Sequence, residues 1–230
     1  SRNIYSQLKK LQPVQYAAYL PFLNPDVISI SPELFFKKES DNILVRPMKG
    51  TAKITGDHDK DQRVFKELQC CPKNRSENLI IVDLLRNDLA AISKNHTIKV
   101  NKAFAIEKYK DLLQMTSEIS AQLDAKISVK KIFNALFPCG SITGAPKIRT
   151  QEIIKSIEKR TRGVYTGSVG YIMPNNDMCF NVAIRTFEKN KNMIALGVGG
   201  GITIDSSCLS EFIEMESKIS FVKKMYKPSF

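Results

Sequence analysis

Alternating apolar and polar residues predict β-strands along much of the chain. Such alternation over short segments bounded by Pro, Gly or Asn is typical of half-buried strands. The turn residues Pro174-Asn175-Asn176 separate two of these segments. The predicted strands are Val14–Leu20, Val27–Ser31, Ile43–Val45, Lys110–Leu123, Gly163–Met173, Met178–Phe187 and Met193–Val198.

Other segments carry apolar residues at helical spacing. In one of them Leu79, Ile80, Leu84 and Leu85 form a stripe, and Ser76 stands where a helix cap is expected. The predicted helices are Asp59–Cys71, Ser76–Ile92, Val129–Leu136, Lys147–Ile157 and about Ser210–Val222. Strands joined by short turns favour antiparallel sheets packed with helices, so the predicted fold class is α+β. Without repeats or long linkers, one continuous domain over residues 1–230 is expected.

Composition narrows the class of protein. Of the residues, 43% are apolar and 25% are charged, which is ordinary for a globular chain. The five cysteines show no CxxC spacing, which favours free thiols in a reducing compartment, with cytoplasm as the default. No apolar run is long enough to span a bilayer, so no membrane association is expected. The net charge of +12 is scattered without a dense stripe, which favours a solvated surface over nucleic-acid binding.

Two charged residues stand beside Pro and Gly in the first third of the chain. Glu33 follows Ser31-Pro32, and Lys49 lies between Met48 and Gly50. Both residues fit surface charges at strand ends. A partly buried lysine would instead have a lowered pKa and could act as a nucleophile.

The predicted helix Ser76–Ile92 carries several charged side chains. Glu77 lies near the start of this helix, where the helix dipole favours a carboxylate or where it could cap the helix. Arg86 and Asp88 suit local ion pairs. A joint site of Glu77 and Asp88 is not expected, because the two residues cannot share a helix face.

Two glycine-bearing segments precede helices. The loop Phe137–Lys147 could bind an anion at a helix N-terminus or could be an ordinary joint. It is not a phosphate-binding P-loop, since GxxxxGK[ST] is absent. After the glycines of Gly197–Ile202, the last helix presents Glu211, Glu214 and Lys218 on one stripe. Paired carboxylates suit Mg²⁺, whereas an ion-paired exposed face is the simpler alternative.

Taken in order, these segments resemble the chorismate-binding enzymes, a family that includes anthranilate, aminodeoxychorismate, isochorismate and salicylate synthases. The resemblance extends from about Val14 to Val222. It implies an α/β sandwich of antiparallel sheets packed with helices around a Mg²⁺-chorismate site. The motifs that carry it are ISPELFF, RPMKGT, ENLIIVDLLRND, FPCGSITGAPKIRTQEII, RGVYTGSVGY, VAIRTF, GVGGGITIDSS and EFIEMESK.

The resemblance also implies roles for individual residues. Glu33 matches the acid that assists departure of the ring hydroxyl. Three glutamates match carboxylates at the metal, and five residues match contacts to the substrate. The metal residues are Glu77, Glu211 and Glu214, and the substrate residues are Ser141, Tyr165, Arg185, Gly199 and Lys218.

Members of the family differ in the residue at the position of Lys49. The resemblance implies that aminodeoxychorismate synthases carry lysine there and that anthranilate synthases usually carry alanine. The expected reaction is Mg²⁺-dependent amination of chorismate to 4-amino-4-deoxychorismate, for para-aminobenzoate and folate synthesis. Lys49 is the expected nucleophile, and ammonia comes from a glutamine amidotransferase subunit.

Two departures from the family pattern bear on this expectation. Gln114 stands where the family usually has a histidine, and glutamine cannot carry a proton. The N-terminal portion of the family domain is absent, so the chain is expected to be a C-terminal part. Anthranilate synthase component I, isochorismate or salicylate synthase, and an inactive substrate-binding or subunit-contact fragment are the alternatives.

Overall fold

A computed structural model describes residues 1–109, 112–204 and 206–225, with the side chains of 224 and 225 left aside. The chain separates into two compact units. The first unit comprises Ser1–Pro32, Arg162–Val169 and Asn181–Phe230, and the second comprises Glu33–Thr161 and Gly170–Phe180. Over the described ranges, none of the helices has the length and apolar character needed to cross a membrane.

The first unit is built on an antiparallel sheet. Its strands follow the order β1-β2-β10-β11, with Ile28 opposite Phe187 at the centre. Leu8 and Phe221, from the first and last helices, complete a buried cluster with those two side chains and Ile30. The elements are α1 (Arg2–Leu11), β1 (Tyr16–Leu20), β2 (Asp26–Ser31), β10 (Thr186–Lys189), β11 (Ile194–Leu196), α7 (Cys208–Lys218) and α8 (Ser220–Met225).

A larger sheet forms the second unit. Its described strands follow the order β5-β7-β4-β3-β9-β8, and β6 pairs with β7. The pairings among β3 to β7 are antiparallel. The strands are β3 (Leu34–Glu39), β4 (Asn42–Arg46), β5 (Met48–Lys53), β6 (Lys99–Tyr109), β7 (Leu112–Gln122), β8 (Ser168–Ile172) and β9 (Met178–Val182).

Helices pack on this sheet through α3, whose buried face includes Ile81, Leu85 and Leu89. Phe35 and Phe36 of β3 meet Phe133 of α4 edge to face, with ring centroids 6.0 and 5.5 Å away. Such aromatic pairs add to the burial of apolar area. The helices are α2 (His58–Cys70), α3 (Pro72–Ala90), α4 (Val129–Leu136), α5 (Gly140–Thr143) and α6 (Lys147–Ile157).

The predicted α+β class is confirmed, and so are the predicted helices Val129–Leu136 and Lys147–Ile157. The predicted start of the long helix is wrong. It begins at Pro72, so Ser76 lies inside the helix and caps nothing. A proline at the first position suits a helix start, because its missing N–H has no intrahelical partner there. The predicted final helix divides into α7 and α8.

Several predicted strands are shorter than the alternation indicates, among them Met193–Val198, which is extended only over Ile194–Leu196. Gly163–Met173 is extended only from Ser168 onward. Met178–Phe187 divides into β9 in the larger sheet and β10 in the smaller one. The division falls near Arg185, whose φ of 49° lies in the left-handed region and interrupts a strand. The start of the predicted strand Lys110–Leu123 lies outside the described residues, and its remainder is confirmed as β7.

Candidate functional site

Glu33, Lys49 and Ser141 come together in the second unit. Glu33 directly precedes β3 and is 6% exposed. Its carboxylate accepts hydrogen bonds from the Ser141 hydroxyl and from the Met48 backbone N–H. The Lys49 Nζ donates to the Ser141 carbonyl oxygen at 3.2 Å. Ser141 therefore contacts both charged side chains, one through its hydroxyl and the other through its backbone.

Burial raises the pKa of Glu33 above its ordinary value. Desolvation is the largest cause because it disfavours the charged carboxylate. The hydrogen bond from Ser141, the positive charge of Lys49 and the Met48 N–H act in the opposite direction. A carboxyl group with a raised pKa retains a proton to higher pH, which is the property a general acid needs.

The loop that carries Ser141 contains the short helix α5 and is anchored to α3. A Cβ added at Gly140 would lie 2.8 Å from a Leu84 methyl carbon, so the loop backbone lies directly on the helix. Lys147, at the start of α6, pairs with Asp88 of α3 and donates to the Leu136 carbonyl at 3.0 Å. These contacts fix the loop at its middle and at its end.

The ion pairs of α3 confirm the local pair predicted for Arg86 and correct the prediction for Asp88. Arg86 pairs with Asp83 one turn earlier, at 3.3 Å, on the exposed face. Asp88 pairs with Lys147, and the two side chains are 14% and 13% exposed. Burial raises the pKa of Asp88, and Lys147 opposes that change. The Asp88 contact was missed because nothing in the sequence relates residues 88 and 147.

Cys139 adjoins this group as a neutral thiol. Burial raises the pKa of the thiol to about 12, and the nearby Glu33 adds to the effect. Its Sγ lies 3.2 Å from the Ser141 Oγ. Either atom could be the donor in this contact. A thiol in this state is a poor nucleophile.

Glu77 lies on α3, in the same unit. As the sixth residue of a helix that begins at Pro72, it stands in the second turn. The expected dipole or capping role is therefore wrong, because that effect is confined to the first turn. The next residue, Asn78, is fully buried and accepts a hydrogen bond from the Ser117 hydroxyl of β7. This contact fixes the helix turn that carries Glu77.

In the first unit, α7 places Glu214 and Lys218 beside the glycine-rich segment. Lys218 Nζ donates to the Gly199 carbonyl at 2.9 Å and pairs with Glu214 at 2.6 Å. A Cβ at Gly200 would lie 2.8 Å from the Glu211 Oε2 and 3.7 Å from the Glu214 Oε1. The absence of a Cβ at Gly200 thus allows the side chains of the predicted stripe to approach the backbone.

The donor set of α7 suits a hard cation. Glu211 Oε1 accepts from the Ser206 hydroxyl at 2.6 Å, while its buried Oε2 has no hydrogen-bond partner. A buried carboxylate oxygen without a partner is costly, and a bound cation would satisfy it. Among the described side chains, no group of three or more His, Cys, Asp or Glu residues is arranged to hold a metal. Of the two carboxylates, Glu211 therefore offers an unpartnered oxygen to a cation, whereas Glu214 is paired with Lys218.

Tyr165 and Arg185 also belong to the first unit. The Tyr165 hydroxyl approaches Gly199, where a Cβ would lie 2.7 Å from it. Arg162 lies over the Tyr165 ring with its guanidinium carbon 5.8 Å from the centroid. Arg185 donates to the Gln12 side chain at 3.1 Å, and burial lowers its pKa. A largely desolvated guanidinium is suited to bind a carboxylate in bidentate fashion.

The chain is similar in sequence to known proteins of one enzyme family. The family model for the chorismate binding enzyme matches residues 1–224. Aminodeoxychorismate synthase component 1 of Bacillus subtilis is 37% identical over 216 residues, which cover 94% of this chain and 46% of that protein. Anthranilate synthase component 1 of Saccharolobus solfataricus is 34% identical over 221 residues, which cover 96% and 52%.

A solved structure agrees with the fold. Anthranilate synthase component I from Streptococcus pneumoniae superposes with a TM-score of 0.83 at 27% identity, covering 96% of this chain and 49% of that one. The chain spans about half the length of the curated relatives it matches.

Proposed function

We propose that this chain, which belongs to the chorismate-binding enzyme family, carries the covalent chemistry of an aminodeoxychorismate synthase. The observation that supports this reaction is the position of Lys49, whose Nζ lies on the Ser141 carbonyl beside buried Glu33. A primary amine and a carboxyl group of raised pKa, held by one serine, provide a nucleophile and an acid at the same place.

The proposed reaction has two substitutions. The neutral amine of Lys49 attacks ring carbon 2 of chorismate, and the 4-hydroxyl leaves as water with a proton from Glu33. Ammonia then adds at carbon 4 and expels the lysine amine, which gives 4-amino-4-deoxychorismate. Covalent attachment divides one difficult substitution into two easier steps.

Other residues are proposed to bind rather than to react. Arg185 and Tyr165 would hold a substrate carboxylate, with Ser141, Gly199 and Lys218 as further contacts. Magnesium, when bound, would polarise and orient the substrate. The unsatisfied Glu211 oxygen supports a cation there, and the family resemblance implies that Glu77 and Glu214 are metal-binding carboxylates.

The proposal includes a partner subunit that supplies ammonia. Ammonia would come from a glutamine amidotransferase subunit, since the cysteines of this chain lack the surroundings of an amidotransferase nucleophile. Cys139 is a neutral buried thiol, as described above. We expect turnover with ammonium salts alone, and with glutamine only after an amidotransferase subunit is added.

The test compares Lys49→Ala with Lys53→Ala, an exposed lysine on the same strand. Chorismate, Mg²⁺ and ammonia are supplied, and products are separated by chromatography and mass. Wild type and Lys53→Ala should form 4-amino-4-deoxychorismate, whereas Lys49→Ala should lose at least about 10²-fold in activity, as expected on removal of a nucleophile. Release of pyruvate and formation of anthranilate by the wild type, or full activity of Lys49→Ala, would overturn the proposal.

A further inference from the structure

Lys49 lies in a β-bulge. Between β5 and β7, Met48 is opposite Thr116 and Thr51 is opposite Gln114. Two residues therefore stand between the paired positions on β5, but only one on β7. Gly50 takes the left-handed conformation with φ of 77°, as glycines in such bulges do. A bulge redirects the side chain next to it, and here that side chain is Lys49.

The bulge leaves a backbone carbonyl out of the regular ladder, and Gln114 satisfies it. Its Nε2 donates to the Gly50 carbonyl at 2.8 Å. Its Oε1 accepts from the Thr51 hydroxyl at 2.8 Å. A carboxamide can donate and accept at once, so a single side chain binds two consecutive residues of the bulged strand.

The opposite side of the bulge is closed by α3. A Cβ on Gly50 would lie 2.8 Å from the Asn74 Cγ, so the helix leaves no space above the glycine. On the other flank of Lys49, the Met48 N–H donates to Glu33. The backbone on both sides of Lys49 is thus held by side chains, and the loss of one of them would free the bulge.

We propose that Gln114 is a positioning residue that aims Lys49 at its site by holding the Gly50 carbonyl. Its effect on turnover rests on the proposed function, while its effect on the orientation of Lys49 does not. A lysine whose backbone can relax loses its near-attack position, and small displacements of that kind cost up to about 10²-fold in rate.

The substitution Gln114→Glu tests this with little change of shape. A carboxylate still accepts from Thr51 but cannot donate to the Gly50 carbonyl. Gln122→Glu is the matched control, because Gln122 ends the same strand with an exposed side chain. Thr51→Val is a second variant, which removes the hydroxyl that fixes the amide.

The first measurement does not depend on activity. Lysines are reductively methylated with ¹³C-formaldehyde, and the Lys49 resonance is assigned by its loss in Lys49→Ala. We expect it to shift in Gln114→Glu at pH 8, to return toward the wild-type position as the new carboxyl is protonated, and to stay unchanged in Gln122→Glu. Thr51→Val should give a smaller shift of the same resonance. If Gln114→Glu does not fold, Thr51→Val serves as the test variant.

The second measurement is steady-state turnover of chorismate with ammonia. We expect kcat of unmodified Gln114→Glu to fall roughly 10- to 100-fold while KM changes less than about twofold. An unmoved Lys49 resonance in the folded variant would overturn the proposal. A large rise in KM at constant kcat would also do so, since Gln114 would then contact the substrate. If wild type makes no product, the proposed function fails, and the resonance alone decides the role of Gln114.

Discussion

Replacing Gly50 by alanine would test the bulge more severely than any change of a side chain. The new Cβ would meet two obstacles, an unfavourable backbone conformation and the Asn74 side chain. Gly56 provides a matched control in the same unit. Its φ of 88° is also in the left-handed region, but nothing lies within 4 Å of an added Cβ.

The magnitude follows from those distances. An L-residue in the left-handed conformation costs roughly 1–2 kcal/mol, and this applies to both positions. At Gly50 the Cβ would also lie 2.8 and 3.0 Å from the Asn74 Cγ and Cβ. Overpacking of that kind costs about 1–3 kcal/mol. We therefore expect Gly56→Ala to lose about 1–2 kcal/mol of unfolding free energy and Gly50→Ala about 2–5 kcal/mol.

Urea denaturation followed by far-UV circular dichroism measures both losses. Asn74→Ala removes the Cγ that the new methyl group would meet, so the double variant Gly50→Ala/Asn74→Ala should be more stable than the sum of the single changes predicts. Equal losses at Gly50 and Gly56, together with an additive double variant, would refute the close approach of α3 to the bulge.

Two further predictions concern buried carboxyl groups. Burial raises the pKa of Glu33 in the folded protein, so between the unfolded and the folded pKa the folded protein binds more protons than the unfolded chain. The stability of wild type relative to Glu33→Gln should therefore fall as pH rises from about 4.3 through the raised pKa. A pH-independent difference in denaturation midpoint between these proteins would contradict the burial of Glu33. Lys147→Met should cost about 2–3 kcal/mol because it leaves Asp88 without its partner in a mostly buried position. Arg149→Met, which breaks an exposed pair with Glu152, should change the midpoint little, and equal losses in the two variants would show that Asp88 is solvated.

The elements predicted well from the sequence are those with one continuous buried face. Val129–Leu136 buries Ile132 and Leu136 with helical spacing, and its predicted bounds are those observed. The strand β6 was missed because its first five residues are exposed, so no alternation marks them. The end of β9 was missed for the opposite reason. Alternation continues into β10, although the chain changes sheets near Arg185.

In the candidate site, too, local sequence predicted some features, and others depend on contacts that are distant along the chain. The sequence predicts that Lys49 is special because it stands between Met48 and flexible Gly50. The physical reason, a bulge closed by Gln114 and Asn74, depends on contacts 64 and 24 residues away along the chain. Such contacts follow from strand order and register, which local periodicity does not determine. The resemblance to a family assigned roles that periodicity could not.

The contacts of Ser141 give the proposed reaction a simple proton balance. The first step requires a neutral amine on Lys49 and a protonated carboxyl on Glu33. That state differs from a charged lysine beside a carboxylate only in the location of one proton, so no proton has to enter from solvent. Burial of Glu33 favours its neutral form, whereas the Ser141 hydroxyl and the charge of Lys49 favour the carboxylate. Exclusion of water by a bound substrate would then shift the balance toward the neutral, reactive pair, because desolvation disfavours both charges.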